Sequence, residues 1–487
     1  MNDIVRRYFP QLLAAAFCVG LAGANVVRGE AAILVVLAAL FVAASVVLGS
    51  RHRLALLAGA LLIGGWWWGS ERLDALDRSP LGARVGTAGR ARVILTAPPR
   101  TGRFDARAPG VVVRFGALRV REPVLVRLVR GRAPPQGALL EGIGQLIEPY
   151  GSKHGFDERA WLRHHGVHLV LRIDRWRIVG RRGGLGGVAD RLRRRMQSTL
   201  AVGVSGDRAA VLEGVVLGED SRLSEELRQR FRAAGLYHLL AVSGQNVALV
   251  AGGALIVAWL AGVPRLLAEL AALMAICAYV LAVGAQPSVV RAGVAGALGS
   301  LAWLTARRAD RWHLLLVGAI VLLLWNPYTV LDPGFQLSFA AVAAIFVLAP
   351  RFERFLEGYP LGRPLRLVVA VSAACGLATA PIAWLHFHAV QLLGVPANAL
   401  AAPAVVPLLG LALATTAVAP LSASAAAALA WVNGWCAAYL IAVARLVGGL
   451  PFAQISSTRA LLVGLAGVLL LAAYASPRWR PSSSPST

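Results

Sequence analysis

The sequence predicts a polytopic α-helical membrane protein of roughly 11–12 spans that carries a small extracytoplasmic β-rich, OB-like domain. Three observations predict it. Hydrophobic residues make up 57% of the 487 positions at a mean hydropathy of +0.65, well above a soluble domain of this size. Apolar runs of about 17 residues or more recur, close to the ~20 needed to cross a bilayer as a helix. Between them lies one long charged stretch punctuated by Gly and Pro, from about residue 71 to residue 200.

The first element is a membrane anchor, residues 1–70, with apolar segments near 11–27, 31–49 and 53–69. The last ends in Trp66, Trp67 and Trp68, which suit an interfacial aromatic belt. No small-residue cleavage site closes the first segment, so it reads as an uncleaved helix.

The second element, residues 71–185, reads as strands. Segments 91–95, 111–115, 124–128 and 168–173 are rich in Val, Ile and Leu and are separated by Gly and Pro. Five or so such strands suit a small OB-like barrel, a common platform for single-stranded nucleic acid. Residues 71–200 hold 26 Arg and Lys against 11 Asp and Glu, more than half of the chain's net charge of +25. A polyanionic partner would explain the excess, with Arg114, Arg127 and Arg172 as candidate contacts; a merely solvated basic face would explain it too. Lys153 is the one lysine, so the bases are almost all planar guanidinium forks.

Residues 186–235 form the third element, amphipathic interfacial helices. Leu192, Met196 and Leu200 recur at i, i+4 and i+8 beside Arg191, Arg193, Arg194 and Arg195, as in a basic helix on a membrane surface. A second pattern covers 209–217, and Ser224 is placed to cap a third. Apolar helices then fill residues 236–475, and 476–487 is a polar tail. Prolines at 396, 403, 407 and 420 predict a broken, re-entrant stretch.

Arginine in short loops favours the cytoplasm. Arg6, Arg7, Arg51 and Arg53 therefore place the N-terminus inside and residues 71–235 outside, and Arg307, Arg308, Arg311, the 351–366 loop and Arg478 to Arg480 fall inside on the same count. Arg445 and Arg459 fit this scheme less well. Cys18, Cys277, Cys375 and Cys436 all lie in apolar runs, as small hydrophobes and not as a disulfide framework. His386 and His388 have no carboxylate or cysteine nearby in sequence, so no metal or other cofactor is expected.

Four stretches resemble the competence-protein (ComEC-type) family. They are Leu217-Gly218-Glu219-Asp220 through Ala234-Gly235-Leu236-Tyr237-His238 to Ser243-Gly244-Gln245-Asn246; Pro287-Ser288-Val289-Val290-Arg291-Ala292; Asn326-Pro327 with Asp332-Pro333-Gly334-Phe335-Gln336-Leu337-Ser338; and Thr379-Ala380-Pro381 to Asn398. Gly155-Phe156-Asp157 and the turn from Arg159 to Gly166 look like the end of the family's outer domain. The resemblance implies an inner-membrane channel that passes single-stranded DNA into the cytoplasm during natural transformation. It also implies an outer DNA receptor and a cytoplasmic translocase ATPase as partners besides the lipid bilayer and the DNA strand; a monomer and a homo-oligomer both fit.

Two departures matter. The family often has His where this chain has Asn246. Many members also carry a C-terminal metallo-β-lactamase-like domain, whose His-x-His-x-Asp-His signature this sequence lacks, so a separate nuclease is expected to serve. With no catalytic motif and no phosphate-binding Gly-x-x-x-x-Gly-Lys loop, the chain is not expected to be an enzyme.

Polar side chains in spans are costly and face protein or water. The candidates for a translocation path are therefore His238, Ser243, Gln245, Asn246, Arg291, Asp332 and Gln336, with Arg291 foremost as a fixed charge that could balance a phosphate. Interhelical hydrogen bonding would explain each of them equally. Two other functions compete. One is a transporter or exporter of another polyanion, lipid or glycan. The other is an intramembrane serine protease, since Ala241-Val242-Ser243-Gly244, with His386 or His388, faintly resembles the rhomboid type without its first glycine.

Overall fold

The computed structural model describes residues 8–48, 52–102, 105–129, 133–153, 156–284, 286–304 and 310–459. Arg6, Arg7, Arg51, Phe104, Gly155, Arg307, Arg308 and the expected last helix and tail, with Arg478 to Arg480, lie outside them. The chain divides into two compact units, Met1–Leu223 with His238–Phe339 and Ala404–Ala438, and Ser224–Tyr237 with Ala340–Pro403 and Tyr439–Thr487.

Three helices open the first unit: α1 (Phe9–Gly23), α2 (Ala31–Val47) and α3 (Arg53–Asp77). Helices α1 and α3 approach backbone to backbone. A Cβ on Gly20 would lie 1.9 Å from the Leu62 carbonyl oxygen, and one on Gly65 2.5 Å from that of Phe17. Small residues permit such close contact between apolar helices, where dispersion replaces the hydrophobic drive available in water. Helix α3 runs on to Asp77, past the expected end of the anchor. Of its tryptophans, Trp66 and Trp68 donate their indole N–H to the carbonyls of Val27 and Leu324, at 2.7 and 3.1 Å.

The strand-rich region folds as predicted into a small β domain: β1 (Ala88–Leu95), β2 (Asp105–Phe115), β3 (Leu118–Val129), β4 (Ala138–Ile147) and, after the short helix α4 (Glu158–His164), β5 (Leu169–Arg181). Strand β1 pairs antiparallel with both β2 and β4, β2 with β3, and β4 with β5, while β3 and β5 run parallel, so the five strands close into a ring. Alternation dictates the core. Val124, Val126 and Leu128 of β3 point inward with Val93, Val112, Leu140, Leu171 and Ile173, and the arginines between them point out. Register breaks at Arg92/Val93 and Val112/Arg114 supply the local bends that closure needs.

Helices α5 (Gly184–Leu200), α6 (Gly206–Leu217) and α7 (Glu225–Ala233) follow where periodicity put them, and the Ser224 hydroxyl caps α7 by accepting from Leu227 N–H. One detail corrects the sequence reading. Arg193, expected on a basic solvent face, is buried, as is Asp190. At 100° per residue, Ala189, Arg193, Met196 and Leu200 share one stripe, and that stripe faces the core.

The remaining helices are α8 (Gly244–Leu260), α9 (Arg265–Val283), α10 (Pro287–Leu304), α11 (Arg311–Trp325), α12 (Pro333–Val347), α13 (Ala349–Phe355), α14 (Arg363–Phe387), α15 (Gly394–Val418) and α16 (Ala423–Gly448). Among the described residues four of them, α9, α14, α15 and α16, are long and apolar enough to cross a membrane, and five if α12 and α13, bent by 46°, count as one. That is fewer than the roughly 11–12 expected. Helices α1, α2, α8 and α11 are apolar but of at most 17 residues, and at 1.5 Å per residue reach no more than roughly 26 Å against a ~30 Å hydrocarbon core. The re-entrant break expected near residue 400 is absent: α15 is continuous through Pro403 and Pro407. Donors from α16 reach carbonyls of α15, Tyr439 at Leu400 (2.9 Å) and Asn433 at Leu408 (3.1 Å), interhelical bonds that tie the two helices together.

A candidate translocation site in the helical bundle

A helix leaves its last carbonyls without intrahelical donors. Helix α6 turns out at Gly218, left-handed at φ 69°, yet the carbonyls of its final turn are buried. Three side chains from three elements satisfy them. Asn246, in the first turn of α8, donates to the Val215 carbonyl at 2.7 Å; Tyr279 of α9 donates to that of Val216 at 2.6 Å; Arg193 of α5 donates to that of Leu217 at 3.3 Å. Asn246 is fully used, since its second N–H reaches the Tyr279 oxygen at 3.1 Å and its carbonyl accepts from Ser243 at 3.1 Å. A neutral imidazole offers one donor where the amide offers two, so Asn246 performs here a task that His would meet only in part. Arg193 also donates to Ala282 and Val283, the last carbonyls of α9, both at 3.2 Å, and pairs with buried Glu219 at 3.1 Å.

Arg291, one turn into α10, has different surroundings. Its Nε donates to the Ser338 hydroxyl at 3.1 Å, and its guanidinium carbon lies 5.9 Å from the centre of the Phe339 ring. Two glycines make room for it: a Cβ on Gly244 would lie 3.7 Å from its Nη2, and one on Gly318 3.3 Å from its Cγ. Ser288, on the same turn of α10, donates to the Val242 carbonyl at 2.7 Å, which holds the Ser243–Asn246 segment next to this charge. Among the described residues no carboxylate pairs with Arg291.

The other sequence candidates do not converge there. Asp332 caps α12, accepting from Gly334 and Phe335 N–H at 2.7 and 3.2 Å, and Gln336 donates to the Val330 carbonyl at 2.9 Å. His238 and Gln245 are exposed. The Asn326-Pro327 motif instead ties the β domain to the anchor. Asn326 donates to the His164 carbonyl at 2.8 Å, His164 stacks on Tyr328 at 4.8 Å, and Asp77 is held by Arg163 at 2.6 Å, by Arg28 and by the Tyr328 hydroxyl. Burial, followed by the neighbouring His165 and Arg163, lowers the His164 pKa.

On the barrel, Arg114 and Arg172 are exposed, and among the described residues they reach only Gly116 O and Asp174. Arg127 is largely enclosed, between Asp105 (3.7 Å) and Glu158 (3.5 Å) and over the Tyr150 ring at 4.9 Å. A denser group went unread in the sequence: Arg90, Arg92 and Arg177 surround Glu141 at 3.3, 2.8 and 2.6 Å. Strand register could have found it, since Arg92, Glu141 and Arg177 are cross-strand neighbours. Their hydrogen bonds, Arg177 first, hold the Glu141 carboxyl down at about 2. Arg193 and Tyr279 were missed for the same kind of reason, because their partners are backbone carbonyls distant in sequence.

Comparison with known proteins places these motifs. The chain is 29% identical over 197 residues to ComE operon protein 3 of Bacillus subtilis, covering 40% of this chain and 25% of that protein. It is 33% identical over 206 residues to competence protein ComA of Neisseria gonorrhoeae, covering 39% and 29%. It is 28% identical over 209 residues to an uncharacterized protein, YcaI, of Escherichia coli, covering 40% and 27%. The matched region spans less than a third of each relative's length. No solved structure matches. The family model described as competence protein matches residues 215–481, more than half of the sequence and every one of the bundle motifs described above, and the chain therefore belongs to the competence protein family.

Proposed function

We propose that this chain is a channel of the cytoplasmic membrane that passes single-stranded DNA inward during natural transformation. The observation that carries the reading is the family match over residues 215–481, within which Arg291 is a half-buried cation with no carboxylate partner among the described residues. A phosphodiester is the anion such a site lacks. The closed five-stranded ring, with arginines on its outer face, supports an OB-like reading of the β domain and a role in receiving one strand outside the membrane. In this reading the N-terminus is cytoplasmic, residues 71–235 are extracytoplasmic, and the strand threads the helical bundle. The conduit is passive: a translocase ATPase in the cytoplasm pulls, an outer receptor delivers duplex, and a separate nuclease removes the other strand.

Deleting the chain should abolish entry of labelled DNA into the cytoplasm while surface binding persists. Normal entry in the deletion strain would sink the proposal. Arg291→Ala should lower uptake with the protein still present in the membrane.

A further inference from the structure

An open cleft of about 710 Å³ lies beside α5, lined by Arg194, Arg195, Ser198, Glu213, Ser221 and Arg222 among others. It is apart from the Arg291 site, although Glu219, Ser221 and Arg222 of the first family stretch line it. Its charges are unequal. Arg222 pairs with buried Glu213 at 2.6 Å, and Glu219 is already taken by Arg193. Arg194 reaches only the Gln136 carbonyl, at 3.1 Å, and Arg195 has no side-chain partner among the described residues. Two guanidiniums without carboxylates and two hydroxyls thus open onto one space, a donor set suited to phosphate.

The position of the cleft says which phosphate. Arg193 hydrogen-bonds the last two carbonyls of α9, a helix long and apolar enough to span a membrane. The residues next to it, Arg194 and Arg195, therefore stand where a span ends, at the depth of lipid headgroups. Helix α9 itself exposes Leu267, Leu270, Met274 and Leu281, an apolar stripe along which acyl chains can lie. We propose that this cleft binds the headgroup phosphate of an anionic phospholipid, with the acyl chains against α9. The lipid would brace α5 against the bundle. The inference does not depend on the DNA-channel reading.

The test is native mass spectrometry of the full chain in neutral detergent, offered phosphatidylglycerol, phosphatidylcholine, inorganic phosphate or a single-stranded oligonucleotide. Phosphatidylglycerol should be retained in preference to phosphatidylcholine and should raise the melting temperature. Arg195→Glu, at an exposed position, should leave lipid-free melting unchanged and reduce retention of phosphatidylglycerol roughly tenfold. Arg194→Gln, as a second variant, should reduce it by a smaller factor. Equal retention of the two lipids, unaltered retention in both variants, or cleft-dependent binding of phosphate or oligonucleotide that matches or exceeds that of the lipid would each overturn the proposal.

Discussion

The bundle encloses two arginines, Arg193 fully and Arg291 in part, and treats them in opposite ways. Around Arg193, three backbone carbonyls and Glu219 converge on one guanidinium. Around Arg291 a single hydroxyl and one ring face do the same work. A desolvated charge is tolerated when its partners replace water. The first site is therefore a structural joint, met at both terminal nitrogens of the guanidinium though its Nε has no partner among the described residues, and the second lacks a carboxylate among the described residues, a place that the proposed channel reading assigns to a passing phosphate. What separates them is the partner list, and both lie in or beside family motifs.

The largest expected effect breaks the joint. Arg193→Ala leaves Glu219 buried and unpaired and should cost about 3–5 kcal/mol, read as loss of the protein from membranes, with partial recovery on adding Glu219→Gln. Next, Asn246→Ala strips the Val215 carbonyl of its donor and should cost about 1–3 kcal/mol in thermal melts of detergent-purified protein. Arg291→Met sharpens the contrast: the melting temperature should hold or rise, since a poorly compensated charge is removed, while DNA uptake falls. A fall in stability as large as that of Arg193→Ala would erase the distinction between the sites.

Smaller effects belong to the barrel. Glu141 has a folded pKa of about 2 against an ordinary 4.5, so its ion pairs stabilise the fold fully above pH 4.5 and progressively less as pH falls towards 2. The melting difference between the wild type and Glu141→Gln should accordingly be greatest near neutral pH and close as pH 2 is approached. Arg172→Ala, at an exposed position paired among the described residues only with exposed Asp174, should change stability by less than about 0.5 kcal/mol.

Much of the fold was legible because period and burial coincide. Residues 91–95, 111–115, 124–128 and all but the first of 168–173 alternate or run apolar and became strands, and Ser224 capped its helix as its type and position implied. Arg193 was misread because arginine on a basic helix is assigned to solvent by type, whereas its stripe with Met196 and Leu200 assigns it to the core. The prolines of α15 misled because a proline inside a helix removes one N–H donor without by itself ending the helix. At the candidate site the sequence pointed to polar residues in apolar runs, but could not say which of them, like Asn246, were already consumed by neighbouring backbone.

The closed pairing of the barrel, β1 with both β2 and β4, carries a last consequence. Where a strand pairs on both sides, as β1 does from Ala91 to Ile94, it has no row of main-chain donors and acceptors to offer an incoming segment, so nothing can be captured there by extending the sheet. In the proposed reading, a nucleic-acid strand on that surface would be held through side chains, chiefly arginines against phosphates, and each such contact would release counterions. The grip of the barrel should then loosen steeply as ionic strength rises, so that the salinity of the surrounding medium sets how firmly a strand is held.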